Sequence, residues 1–267
     1  KWAGMNGAVN MANTQRKFGT YVPNNAGYQD CTNQQKAIEE SQYGVAANRL
    51  DQYNYALDIS TGPQDAQRAI VQFSANHDTT VILSCDPIAP IFLTQDAVKQ
   101  NYHPEWMITG VALTDADNWA QLWTQSEVQG HLFGLSQSGA TSTGLDPNGE
   151  AAQVLKAAGV PLNPSSVFDY YLLISLANQI QAAGPVLNPQ NIAAGTHNLP
   201  AGGGPSGAAG TWHFGPTHTA IIDSRQVYWD GSKTSQADNK QGTYNQIYGG
   251  QRFQVGGFPT GQPPYYP

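Results

Sequence analysis

The residues best suited to chemistry in this chain fall just short of every familiar constellation. Gly134-Leu135-Ser136-Gln137-Ser138 approaches the Gly-x-Ser-x-Gly elbow that presents a nucleophilic serine between strand and helix, but serine stands where the elbow needs its last glycine. His213 and His218 flank the Gly215-Pro216 turn. Two imidazoles are half a zinc set at best and read as surface or packing residues. Asp146-Pro147-Asn148-Gly149 is shaped like a fragment of a calcium loop, yet it lacks the remaining ligands and reads as a turn. The glycines at 202–204 sit in a Pro/Ala loop rather than after a strand, so they form no phosphate cradle. Trp212, Phe214, Tyr228 and Trp229 offer either a platform for a sugar ring or, more simply, the packing of the last strands. The chain therefore reads as a non-enzyme with no cofactor and no metal.

Two cysteines, Cys31 and Cys85, leave two readings open: separate buried thiols, or one disulfide. The first falls in the opening turn of the first helix and the second at the end of the third strand, which are neighbours in a sheet of order 2-1-3-4-5. A bridge there would imply an oxidising compartment.

The elements that position these residues follow a regular βα alternation from residue 17. Phe18–Val22 reads as a strand, Asp30–Tyr43 as a helix, and Ala46–Tyr55 as a second strand. Gly62-Pro63 opens a helix whose Ala66, Ala69, Ile70 and Phe73 share one face. Thr79–Ser84 is a continuous apolar strand of the kind buried on both faces of a sheet. Further helices read over 90–100 and from 114 to about 123, and further strands over 105–110 and 130–135. This predicts an α/β fold with an open, parallel, doubly wound sheet, which binds ligands beyond the carboxyl ends of its strands.

The style then changes. A Ser/Thr/Gly-rich stretch over 136–149 looks like a crossover, and helices follow over 150–158, 165–183 and 189–198 with no strand between them. The run Val167–Ile180 is apolar on nearly every side, so it must be buried. Strand-like segments return over 211–214 and 221–229, and the Gly/Pro/Tyr-rich tail from 244 reads as an extended arm or as disorder.

The chain has 267 residues, 40% hydrophobic and only 12% charged, with a net charge of −7. That charged share is about half the usual one, so Gln, Asn, Ser and Thr must cover the surface, a style that suits an extracytoplasmic protein. No Lys/Arg cluster is present, so nucleic acid is not an expected partner. No apolar run is long enough to span a bilayer, and no signal peptide is seen, which in a trimmed chain does not argue for the cytoplasm.

The order of these parts resembles the C-terminal half of a type I periplasmic binding protein, the branched-chain amino-acid-type substrate-binding protein of ABC importers. The motifs carrying the resemblance are Pro23-Asn24-Asn25 with Tyr28, Cys85-Asp86-Pro87 before Phe92-Leu93-Thr94-Gln95, Trp106–Gly110, the crossover near Leu135-Ser136, the helix with Tyr170-Tyr171, and Gly210–Gly215 leading to Val227-Tyr228-Trp229. The resemblance implies a second-lobe α/β sheet over 1–133, a hinge and an additional helical segment from the partner lobe over 134–209, and a return to the second lobe with an extended tail over 210–267.

It also implies a ligand site on the loops after strands one, three and four. Those loops place Tyr28 as the pocket aromatic, Asn24 and Asn25 as polar contacts, Cys85 and Asp86 on the third-strand loop, and Ala112 on the fourth. Asp86 suits a ligand ammonium or, more plainly, a cap for the turn at Pro87. The helix after Tyr28 points its N-terminus at the cleft, where free N–H groups suit a carboxylate. The implied protein is periplasmic or extracellular, free or surface-anchored, and delivers a small polar or amino-acid-like ligand to an ABC permease without a cofactor. The first lobe is missing, so the helix 166–183 needs cover from that lobe or another chain. The alternative is a structural or interaction module in which that helix and the tail are the interfaces of an oligomer.

Overall fold

In the computed structural model, the described residues are 14–137, 145–203, 210–215 and 220–259. Ser138, Pro216, His218, part of the 136–149 crossover and the end of the tail lie outside them. Eight strands form one sheet. Its parallel part comprises β1 (Phe18–Pro23), β2 (Leu50–Tyr55), β3 (Thr80–Leu83), β4 (Glu105–Ile108) and β5 (Leu132–Ser136), in the spatial order 2-1-3-4-5 anticipated for a doubly wound sheet. The helices α1 (Ala26–Tyr43), α2 (Gly62–Ala75), α3 (Ala89–Lys99), α4 (Asp117–Ala120) and α5 (Gln125–Val128) connect them.

Burial explains the centre. Every residue of β1, β3 and β4 is buried. Val81 and Leu83 join Trp106, Ile70, Phe73 and Leu93 on one face, while Ile82 joins Phe18, Met107 and Phe133 on the other. α2 follows Thr61 with Pro63 in its first turn and buries the four residues that share its apolar face. α1 buries only Thr32 and stops at Gly44, whose φ of 64° lets Val45 N–H reach Glu39 O at 3.0 Å.

Four sequence expectations need correction. α1 begins at Ala26, four residues earlier than the helix read from Asp30. Cys31 therefore moves from the first turn to an exposed position in the second, while Cys85 is buried; both are free thiols, so the disulfide reading fails. The helix read from 114 to about 123 is reduced to the single turn α4, and α5 is a separate turn beyond it, after Thr124, whose N–H bonds Thr94 Oγ1 at 3.0 Å. The tail is not an arm or a disordered segment over its described length. The long β8 (Asp223–Thr234) lies antiparallel to β5, and both β9 (Gln241–Gln246) and β10 (Arg252–Gln254) pair with its far side. Gly242 makes this possible: a Cβ there would sit 2.3 Å from the Trp229 ring.

Between β5 and the two-residue strands β6 (Gly202–Gly203) and β7 (Thr211–Trp212) lie α6 (Glu150–Ala157), α7 (Pro164–Ala182) and α8 (Pro189–Asn198). They pack chiefly on one another around Ala151, Leu155 and Val167. The all-round apolar α7 was expected to be buried, but it buries only Val167; Leu172, Leu173 and Leu176 are 52%, 66% and 52% exposed. No helix of the described residues is long and apolar enough to cross a membrane.

Candidate functional site

The parallel strands all end at one edge of the sheet, and the loops there carry the residues singled out above. β1 ends at Pro23, and Asn24 N–H bonds Tyr55 O at 2.9 Å, tying the ends of β1 and β2 together. The side chains of Asn24 and Asn25 are exposed. Asn25 is the N-cap of α1, yet its side chain caps no amide, so the positive helix end is uncovered by a side chain at this edge. Tyr28 follows on the first turn, half-buried. Burial first, then the negative charge of Asp86, pushes its phenol above its ordinary value. Tyr28, Cys85 and Asp86 therefore converge on one electrostatic neighbourhood.

Asp86 is held firmly. Its Oδ1 accepts Ile88 N–H at 2.9 Å and Ala89 N–H at 3.1 Å, capping the entry to α3, and its Oδ2 accepts the Tyr55 hydroxyl. The same hydroxyl accepts Asp86 N–H at 3.1 Å. Tyr55 stacks on Tyr21 with centroids 4.3 Å apart and planes 7° apart. Burial drives the Tyr55 and Tyr21 phenols upward, so both stay neutral. Burial also holds the Cys85 thiol protonated, which removes it as a nucleophile. Ala112 stands exposed in the turn after β4 with φ 50°, offering a methyl group and backbone only.

Sequence reasoning missed Tyr55, although an aromatic closing a strand at the ligand edge was a usable signal. It also missed a charged group farther along that edge. Ser136 Oγ donates to Asp115 Oδ2 at 2.7 Å, and Ser136 pairs in register with Arg225 of β8. Arg225 in turn pairs with Arg252 of β10. Arg252 Nε meets Asp223 Oδ1 at 2.7 Å, both side chains fully buried. Burial and the like charge of Arg252 pull Arg225 down to about 10, against Asp223 and Asp115. Arginines standing alone in apolar strand sequence were the available hint.

This edge can hold a polar solute without covalent chemistry. Ser136, the serine of the near-elbow, is fully buried and its hydroxyl donates to Asp115. Asp146 Oδ1 accepts Asn148 N–H at 2.9 Å, the local bond of a turn. Among the described residues no cluster of three His, Cys, Asp or Glu side chains is placed to hold a metal.

No protein-family model and no curated protein matches the sequence. Solved structures do match. A possible leucine/isoleucine/valine-binding protein from Rhodopirellula baltica superposes with a TM-score of 0.61 at 14% identity, over 87% of this chain and 59% of that one. The chain has the fold of ABC substrate-binding proteins. A fatty acid ABC transporter substrate-binding protein from Thermomonospora curvata shows the same substrate-binding fold at a TM-score of 0.62 and 13% identity, over 90% of this chain and 57% of that one. A solute-binding protein of R. palustris, solved with benzoate, gives 0.55 and 12%, over 91% and 61%. The chain thus spans about three-fifths of the length of these substrate-binding structures. At these identities the likeness establishes the fold, and the neighbours are binding proteins rather than enzymes.

Proposed function

We propose that this chain is the second lobe, with hinge-linked helices, of an extracytoplasmic solute receptor that captures a small polar or amino-acid-like ligand and delivers it to an ABC permease. The observation that carries this reading is the sheet edge where Tyr28, Tyr55 and Asp86 meet beside the uncapped start of α1. In this reading Tyr28 is the aromatic wall, Asn24 and Asn25 supply polar contacts, and the half-buried Asp86, held in place by the buried Tyr55 hydroxyl, faces the ligand. Cys85 is a neutral floor, and Ala112 closes the far side with its methyl group.

The solutes named for the similar structures, branched-chain amino acids, fatty acids and benzoate, all carry a carboxylate. An open helix N-terminus suits that group. Residues 134–209 then belong to the hinge and the first lobe, and α7 rests on a β-layer from that lobe or from another chain. The protein is no enzyme and needs no cofactor. Calorimetric titration of wild type and Tyr28→Ala with L-leucine, benzoate and octanoate tests the assignment. At least one probe should bind wild type, with affinity falling at least about tenfold in the variant, a loss of about 1.4 kcal/mol. Equal affinities would remove Tyr28 from the site, and no binding by wild type would count against the receptor reading.

A further inference from the structure

At the opposite, amino-terminal edge of the sheet lies an acidic pair that the ligand site does not use. Asp78 precedes β3 and is only 3% exposed, yet neither of its carboxyl oxygens accepts a hydrogen bond. Its Oδ2 sits 3.0 Å from where a Cβ on Gly19 would lie, beside the Phe73 ring. Asp51, near the start of β2, lies at the same corner, tied to Asn76 two residues ahead of Asp78, and is the acidic neighbour whose charge acts on Asp78. Asp51 is already surrounded by donors: Gln72 Nε2 bonds both its oxygens at 2.9 and 3.0 Å, Asn76 Nδ2 donates at 2.7 Å, and Gln52 N–H at 2.7 Å.

Four neutral hydrogen bonds favour the ionised form of Asp51, whereas burial without a donor favours the acid form of Asp78. A buried carboxyl lacking donors can be satisfied by donating its own proton.

We propose that Asp78 and Asp51 share one proton, with Asp78 the donor and Asp51 the acceptor, and that losing it loosens the junction of α2 with β1–β3. The fold thereby carries a proton switch on the face away from the ligand edge. Other groups facing the pair leave it without a neutralising cation. Lys17, ahead of β1, donates to Asn76 O and attracts Asp78 only weakly. Lys36 on α1 feels the charge of Asp51 but is itself lowered by burial. The Tyr102 hydroxyl, after α3, donates to the Asp78 carbonyl at 2.7 Å rather than to its carboxyl group.

Burial first, and then the neighbouring Asp51, raises Asp78 to about 7 from its ordinary 3.8. The folded chain therefore holds a proton that the unfolded chain has released between those values. Its stabilising effect is complete below the unfolded value and is lost as pH rises through 7. Asp51 is shifted downward, so it titrates outside that window.

The test is urea unfolding of the full chain from about pH 5 to pH 8 for wild type and Asp78→Asn, whose amide can still donate to Asp51. The folding constant of wild type relative to the variant should fall by up to about tenfold per pH unit until about pH 7. Carbon-13 NMR of aspartate-labelled wild type gives a second readout that needs no variant: one buried carboxyl carbon should titrate near neutrality. A ratio flat with pH, or carboxyl signals all titrating below about pH 5, overturns the proposal. A stabilisation of wild type by calcium chloride at pH 8 that Asp78→Asn abolishes would put a cation where the proton is assigned, and would overturn it as well.

Discussion

Replacing Arg252 with methionine should destabilise the protein strongly. The guanidinium holds Asp223 Oδ1 at 2.7 Å and reaches the carbonyls of Asp223 and Gln137, both at 3.2 Å. Asp223 Oδ2 in turn accepts Thr211 N–H at 2.8 Å. One ion pair thus fastens β10, β8, the exit of the chain toward the helical segment at Gln137, and its return at Thr211. Side-chain exposure is 0% for Arg252 and 1% for Asp223, so solvent screens little of the interaction.

Methionine keeps much of the aliphatic volume and leaves a buried carboxylate without its cation, a loss of about 3–5 kcal/mol. Two features favour the lower end. Asp223 keeps the Thr211 amide, and Arg225, released from the like charge of Arg252, offers partial compensation. At about 2–4 °C per kcal/mol for a chain of this size, a loss of about 3 kcal/mol lowers Tm by about 6–12 °C. Urea denaturation of wild type, Arg252→Met, Asp223→Asn and the double variant gives the coupling directly. The double variant should be more stable than the sum of the single losses implies, because no unpaired buried charge remains. A single-variant loss below about 1 kcal/mol, or additivity in the double variant, would refute the reasoning.

Three further outcomes follow from the packing. Gly134→Ala should cost at least about 3 kcal/mol, since φ is 152° and a Cβ would fall 2.1 Å from Ile108 O; Gly27→Ala, with nothing within 4 Å, should be neutral or stabilising by up to about 1 kcal/mol, both read by thermal melting. Tyr55→Phe should lose about 1 kcal/mol in urea denaturation, because it removes the hydroxyl that both donates to Asp86 and accepts its amide. The triple change Leu172→Asn, Leu173→Asn and Leu176→Asn alters residues already more than half exposed, so Tm should move little while dye binding to apolar surface falls; a large loss of Tm would mean the helix is buried after all.

The sheet was legible because burial on two faces writes long apolar runs, as in Thr80–Leu83, and because helical spacing marks α2. The strand order then follows from short right-handed crossovers. The tail was not legible. Glycine and proline signalled a loose arm, whereas Gly242 makes room for Trp229, a contact made across the β8–β9 pairing. The Arg252–Asp223 pair also escaped notice, since local sequence carries no mark of a partner that distant in the chain. For α7 the all-round apolar pattern called for cover, and within the described residues the helix buries only Val167; composition shows that a helix needs cover, but not which chain provides it. At the candidate site, Tyr28 and Asp86 were expected from the resemblance, while Tyr55, which bonds Asp86 from the end of β2, was passed over as a strand residue.

Hydrogen–deuterium exchange of the chain with and without whichever of L-leucine, benzoate or octanoate binds is the most direct test of where the ligand sits. The account predicts slower exchange confined to 24–29, 86–89 and 109–114, the loops at the carboxyl ends of β1, β3 and β4. Protection concentrated instead at the amino ends of the strands, or in α6–α8 alone, would contradict it.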